Sequence, residues 1–147
     1  EYRAVAEVAA HYYSIVLTDT GTGIVHSVMG ATLDLSHQLI VVTGPSVDES
    51  RLASETLTWL EMNGFADRVR DAIVVVNSAS PGAAMVRLSE IEQHFSSRVR
   101  EVMRIPYDSL IAAGGAIVFS DLQPATREAA RTLAARVVEG LRAPREA

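Results

Sequence analysis

The stretch that most constrains this chain is residues 13–23, where a short apolar run leads into an aspartate and a glycine-rich turn. The apolar run covers residues 14–18, and Asp19, Gly21 and Gly23 follow it. In a parallel α/β sheet, ligands bind where the carboxyl end of a strand passes into the next helix. Such a strand end offers one carboxylate and several free backbone N–H groups. The pattern therefore predicts a strand at residues 14–18 with a binding site at its end.

Three further segments predict strands, at residues 39–43, 72–76 and 99–105, and the continuous apolar run at 39–43 predicts a buried one. Segments with helical periodicity precede, separate and follow the predicted strands, and the last one begins near Pro124. Alternating strands and helices with short connections are typical of a parallel sheet covered by helices. The sequence therefore predicts one α/β domain over residues 1–147, a layered, mostly parallel sheet flanked by helices.

Local signals define the ends of the predicted helices. Ser46 and Glu49 have the spacing of a capping box, and Asn63 with Gly64 forms a helix stop. Helical segments are also expected at residues 1–12, 24–33 and 109–113. The helix after the capping box is expected to place on one face Leu52, Thr56, Trp59 and Leu60. The next helix is expected to direct inward Leu88, Ile91 and Phe95.

The composition excludes several classes of function. The chain has no cysteine, which excludes disulfides, thiolate metal sites and cysteine nucleophiles. The net charge is −5 without a basic run, so direct nucleic-acid binding is not expected. No apolar stretch approaches the roughly 20 residues of a membrane span and no signal peptide is visible, which favours a cytoplasmic protein. All 13 basic residues are arginine, so no lysine-dependent mechanism can operate.

Other site types explain the glycine-rich turn less well. The Asp-Thr-Gly tripeptide at Asp19 also occurs in aspartic proteases, but they need two such carboxylates in a β-rich fold. A dinucleotide fingerprint would need a third glycine where His26 stands and an acidic residue where Thr43 and Gly44 stand. A phosphorelay receiver domain would need a lysine. The four histidines do not have metal-ligand spacing.

Four predicted strand ends have a recognisable order. The first carries the turn after Asp19, the second Thr43-Gly44-Pro45-Ser46, the third Asn77, and the fourth Pro106-Tyr107-Asp108. In this order and spacing the chain resembles the carboxyl-terminal half of a MinD/ParA-like ATPase, in the deviant Walker-motif branch of the P-loop NTPases. The resemblance covers nearly the whole chain and extends to accessory ATPases of type VII secretion systems.

The resemblance implies a role for each residue at these strand ends. Asp19 would be the catalytic carboxylate that holds the Mg²⁺ shell through water, and the turn at Gly21 and Gly23 would bind the nucleotide, with the Gly23 N–H on the γ-phosphate. The Asn77 amide would recognise adenine, because it can pair with both a donor and an acceptor on a base edge. The adenine pocket would be lined by Pro106 and Tyr107. The residues alone leave other roles open, because Asp19 and Asn77 also suit turns and the other two suit loop packing.

An essential part of the resemblance is missing from this chain. The first methionine is Met29, so the chain that opens on Glu1 is expected to be a piece of a longer protein, with the phosphate loop and its two lysines upstream. Without that loop we expect the chain neither to hydrolyse ATP nor to bind it tightly. The intact parent would be a Mg-ATP-dependent switch, a possible homodimer with a protein partner. The alternative is an interaction or assembly module that has lost nucleotide chemistry.

Overall fold

The computed structural model describes residues 2–21, 27–78, 80–81 and 85–142. The chain divides into two compact units, Glu1–His37 and Gln38–Ala147. The single domain predicted from the sequence stays a prediction.

The first unit contains two helices that contact each other, α1 (Tyr2–Tyr12) and α2 (Ser27–Leu35). An ion pair between Arg3 and Asp34, 3.9 Å apart, joins them. The helix predicted at residues 1–12 is therefore confirmed. The helix predicted at residues 24–33 is present from Ser27, and its predicted start lies outside the described residues.

The strand predicted at residues 14–18 is wrong. These residues have no regular secondary structure, and Leu17 is 79% exposed. A strand exists only where its N–H and C=O groups pair with a neighbouring strand. Both regular elements among the described residues of this unit, α1 and α2, are helices. This part of the unit therefore contains no strand with which residues 14–18 could pair.

The described part of the second unit contains a three-stranded sheet and five α-helices. The strands are β1 (Ile40–Thr43), β2 (Ile73–Asn77) and β3 (Glu101–Ile105). The helices are α3 (Val47–Leu60), α4 (Ala66–Arg70), α5 (Met85–Ser96), α6 (Ser109–Ala113) and α7 (Pro124–Arg142). The predicted strands at residues 39–43, 72–76 and 99–105 are confirmed in position. The burial predicted for residues 39–43 is wrong, because Val42 in β1 is 64% exposed.

The sheet is parallel throughout, in the order β1-β2-β3. Both crossovers contain a helix, α3 and α5, and right-handed crossovers place these helices on the same face of the sheet, where they contact each other. The opposite face is covered by α7. Its residues Leu133 and Val137 pack against a buried cluster formed by Ile73, Val75 and Met103. This is the predicted α/β arrangement of a parallel sheet flanked by helices.

The helix α3 begins as predicted but buries a different face. The Ser46 hydroxyl accepts from the Glu49 N–H at 3.2 Å, and the Glu49 carboxylate accepts from the Ser46 N–H at 3.2 Å, which confirms the capping box. However, Leu52 is 59% and Trp59 39% exposed. The face that is buried carries Ser50, Ala53, Leu57 and Leu60.

The correction to α3 has a geometric reason. Its apolar residues spread over two neighbouring faces, and periodicity alone does not say which of them meets the sheet. The small Ala53 allows close approach of the helix backbone, whereas Trp59 lies about 100° around the axis from the buried Leu60. The predicted stop at residues 63–64 is confirmed, because Gly64 adopts a φ of 90°. The inward residues predicted for α5 are confirmed as buried: Leu88, Ile91 and Phe95.

Candidate functional site

Two neighbouring strands end side by side at the carboxyl edge of the sheet. Asn77, the last residue of β2, lies opposite Ile105, the last residue of β3. The next residue, Ser78, donates its N–H to the Ile105 carbonyl at 3.0 Å. Pro106 and Tyr107 follow Ile105 directly. The structure therefore brings Asn77, Pro106 and Tyr107 together, as residues at adjacent strand ends.

The Asn77 side chain has the exposure expected of a ligand-binding group. It is half-buried, as are Pro106 and Tyr107. In the part of the chain that the structure describes, no hydrogen bond involves its side-chain amide. An amide in this state offers a donor and an acceptor at a partly desolvated position, where each hydrogen bond is stronger than in water.

The remaining predicted site residues belong to the first unit. The Gly21 N–H donates to Asp19 Oδ1 at 2.9 Å, and Gly21 has a φ of 67°, in the left-handed region that favours glycine. This contact is the turn-capping role that the sequence left open for Asp19. Gly23 lies outside the described residues. The roles of Asp19, Gly21 and Gly23 towards Mg²⁺ and phosphate stay predictions.

The helices that follow β1 and β3 have closed N-termini. A free helix N-terminus binds anions through its unpaired N–H groups. At the start of α3 the Glu49 carboxylate occupies this position, and at the start of α6 the Asp108 carboxylate does, accepting from the Leu110 N–H at 3.0 Å. Side-chain carboxylates of the chain therefore occupy the places where a phosphate would bind at these two helix starts.

Asp108 lies at the same carboxyl edge of the sheet, and the sequence alone predicted no role for it. Its side chain is buried, and its second oxygen, Oδ2, accepts from the Gln123 N–H at 2.8 Å. An aspartate directly before a helical turn is a known N-cap signal, which could have predicted the contact with Leu110. The contact with Gln123 has no sequence signal, because it joins residues 15 positions apart.

Backbone hydrogen bonding lowers the pKa of Asp108. The largest cause is the bond from the Gln123 N–H, burial opposes it, and the bond from the Leu110 N–H adds to it. The side chain of Thr126, in the first turn of α7, adds a smaller contribution, although its buried hydroxyl does not reach a partner with full hydrogen-bond geometry. Asp108 is therefore ionised at neutral pH.

Among the described residues, no three histidine, aspartate or glutamate side chains lie close enough together to hold a metal ion. No helix within the same ranges is both long and apolar enough to cross a membrane.

Comparison with known proteins gives relatives but no family model. The chain is 32% identical over 137 residues to the ESX-1 secretion-associated protein EspI of Mycobacterium tuberculosis, in strain CDC 1551 / Oshkosh and equally in strain ATCC 25618 / H37Rv. The match covers 92% of this chain and 21% of each relative, so the chain spans about a fifth of their length. No protein-family model and no solved structure matches the chain.

The comparison confirms one part of the resemblance drawn from the sequence. The chain is similar to a secretion-associated protein, as the type VII secretion resemblance implied. Membership of the MinD/ParA-like ATPases stays a prediction, as does the P-loop NTPase fold.

Proposed function

We propose that this chain supplies the base-binding part of a MinD/ParA-like ATPase domain, within a longer cytoplasmic protein that takes part in secretion. The secretion role is supported by the similarity to EspI, which is named as ESX-1 secretion-associated. The nucleotide role is supported by the sequence resemblance and by the geometry of the sheet edge. In this proposal the intact parent binds Mg-ATP, and its partners are proteins of the secretion machinery.

One observation carries the nucleotide proposal. The register between β2 and β3 places Asn77 beside Ile105, so the amide and the Pro106–Tyr107 segment lie at one edge although Asn77 and Pro106 are 29 positions apart in the sequence. A flat purine needs a hydrogen-bonding group on its edge and apolar surface against its face. Asn77 supplies the first, and the proline and tyrosine rings supply the second.

The same edge supports a base-binding role better than a phosphate-binding role. The chain has no lysine, and carboxylates close the N-termini of α3 and α6. Phosphoryl transfer depends on cations and backbone N–H groups around the phosphates. We therefore propose that another segment of the parent supplies the groups that bind the phosphates. This chain alone would bind nucleotide weakly and would not hydrolyse it. Asp19 would contribute to the Mg²⁺ shell in the parent only.

Nucleotide titrations of the chain test this proposal. We expect AMP to shift the ¹H–¹⁵N resonances of Asn77, Ser78 and Tyr107 in the millimolar range, and GMP to shift them less. Isothermal titration with Mg-ATP should give no micromolar binding, and no phosphate should be released. Resonances of the exposed Met62, two residues after the end of α3, are the internal control.

Two results would contradict the proposal. Micromolar Mg-ATP binding by this chain would show that it contains all the groups needed to bind the phosphates. Equal shifts with AMP and GMP, or no shift at the β2–β3 edge, would remove the base-binding role and favour the alternative of an interaction module.

A further inference from the structure

The Pro106–Tyr107 segment is held at both of its ends. On the β3 side, the ladder with β2 and the bond from the Ser78 N–H fix the Ile105 carbonyl. On the other side, the next residue is Asp108, which is only 3% exposed. A two-residue segment that is fixed at both ends has little conformational freedom. The position of Asp108 therefore determines where the rings of Pro106 and Tyr107 lie.

The two oxygens of the Asp108 carboxylate accept hydrogen bonds from two different segments. Oδ1 accepts from the Leu110 N–H at 3.0 Å and begins α6. Oδ2 accepts from the Gln123 N–H at 2.8 Å, at the residue before α7 begins. A helix cap needs only the first bond. The second bond ties the segment to the start of a different helix.

The helix α7 is itself fixed to the sheet. Leu133 and Val137 pack against the cluster under β2 and β3. Arg136 adds an ion pair with Glu101, the first residue of β3, at 3.2 Å. Through Asp108, the Pro106–Tyr107 segment is therefore held by the same helix that covers the strands leading to it.

We propose that Asp108 is a positioning residue for the base-binding site: its carboxylate holds Pro106 and Tyr107 in place by tying them to the start of α7. This inference rests on the proposed function, since it assigns these two residues to the wall of that site. Asp108 does not contact the base; it acts through the segment that precedes it. Loss of the hydrogen bond from the Gln123 N–H would free the Tyr107 end of the segment, whereas Ile105 at its other end would stay paired with β2.

The variant Asp108→Asn tests the role of the carboxylate with little change of shape. An asparagine has one acceptor oxygen, so it can cap α6 or bind the Gln123 N–H, but not both. We expect AMP affinity, measured by ¹H–¹⁵N titration well below the unfolding temperature, to fall by about tenfold, because a displaced wall loses its fit to the ligand. In the ligand-free variant the Tyr107 and Gln123 amides should shift and exchange with solvent faster.

Ser46→Ala is the matched control. This substitution removes the cap of α3 and should lower the unfolding temperature. Because Ser46 lies outside the β2–β3 edge, the affinity for AMP should be unchanged. A second variant, Asp108→Glu, keeps the charge with a longer reach and should recover part of the affinity. Unchanged AMP affinity in Asp108→Asn would overturn the proposal, and so would an affinity loss that Ser46→Ala reproduces at equal destabilisation.

The ligand-free measurement separates this inference from the proposed function. If the unsubstituted chain does not bind AMP, the base-binding role fails, but a shifted Tyr107 amide in Asp108→Asn still shows that Asp108 positions the segment. If AMP binds and neither the Tyr107 amide nor the affinity changes in the variant, the positioning role fails and the base-binding role stands.

Discussion

Arg98 donates from Nη2 to the Glu61 carboxylate at 2.8 Å, and so joins the turn after α5 to the end of α3. Its Nη1 also donates to the Ser54 hydroxyl at 2.9 Å, and Nη2 reaches the Thr58 hydroxyl at 3.0 Å. The side chains of the ion pair are 21% and 36% exposed. One guanidinium therefore holds together the two helices that cover one face of the sheet.

Replacing this arginine should destabilise the chain. Arg98→Met keeps an unbranched apolar stem but removes every donor, and leaves the Glu61 carboxylate without its partner. We expect the free energy of unfolding in urea to fall by about 1–3 kcal/mol, as for lost hydrogen bonds to charged groups. Arg70→Met is the control, because the Arg70–Asp67 pair is exposed and within one helix. Its effect should stay below about 0.5 kcal/mol, and equal effects of the two variants would contradict the bridging role.

Gly64 should not tolerate a side chain. Its φ of 90° lies in the left-handed region, where a Cβ atom is strained although the surrounding space is open. Gly64→Ala should therefore lower the free energy of unfolding by roughly 1–2 kcal/mol, measured by urea denaturation. Gly64→Asn should cost less, because asparagine enters this region more easily. An alanine variant as stable as the original chain would show that the turn relaxes.

Stability in acid should depend on Asp108. The folded-state pKa of this carboxyl is lowered, so folding favours its ionised form. That stabilisation is complete above the unfolded pKa of about 4 and is lost as the pH falls through the lower folded pKa. The unfolding temperature of Asp108→Asn should therefore be clearly lower than that of the original chain at neutral pH, with a difference that shrinks as the pH falls below the unfolded pKa. A gap for Asp108→Asn that stays constant with pH would contradict the prediction.

Asn77 should determine base preference without contributing much stability. Asn77→Ala removes the amide from the edge of β2, so AMP should lose its advantage over GMP, a change of about 1 kcal/mol or more in relative affinity. The free energy of unfolding should change by less than about 0.5 kcal/mol, because no hydrogen bond among the described residues depends on this amide. Asn63→Ala removes the bond that Asn63 donates to the Trp59 carbonyl at 2.8 Å and is the control for an unrelated asparagine. Retained AMP preference in Asn77→Ala would exclude adenine readout by this residue.

The parts of the fold that the sequence predicted correctly are those set by short-range interactions. The capping box of Ser46 and Glu49 lies within a few residues, and so does the stop at Gly64. The strand β2 was also predictable, since a fully buried parallel strand is a continuous apolar run. The positions of β1 and β3 were predicted correctly, although neither strand is fully buried. Short-range chemistry and burial therefore account for most of the second unit.

The parts that failed depend on long-range partners. Residues 14–18 have the composition of a strand, but pairing with another strand decides whether one forms, and composition does not show the partner. The buried face of α3 depended on which side met the sheet, so Trp59 was assigned wrongly. At the candidate site, Asn77, Pro106 and Tyr107 were predictable as strand ends, whereas the tie from Asp108 to Gln123 joins distant segments.

The parallel order β1-β2-β3 also constrains how this unit can acquire its structure. Val42 and its ladder partner Val75 are separated by roughly thirty residues of chain, and no two neighbouring strands are joined by a tight turn in the described part of the unit. Every ladder bond therefore requires a long loop to close first, which slows the search for the native state. We therefore expect α3 and α5, whose backbone hydrogen bonds are local, to form before the strands pair.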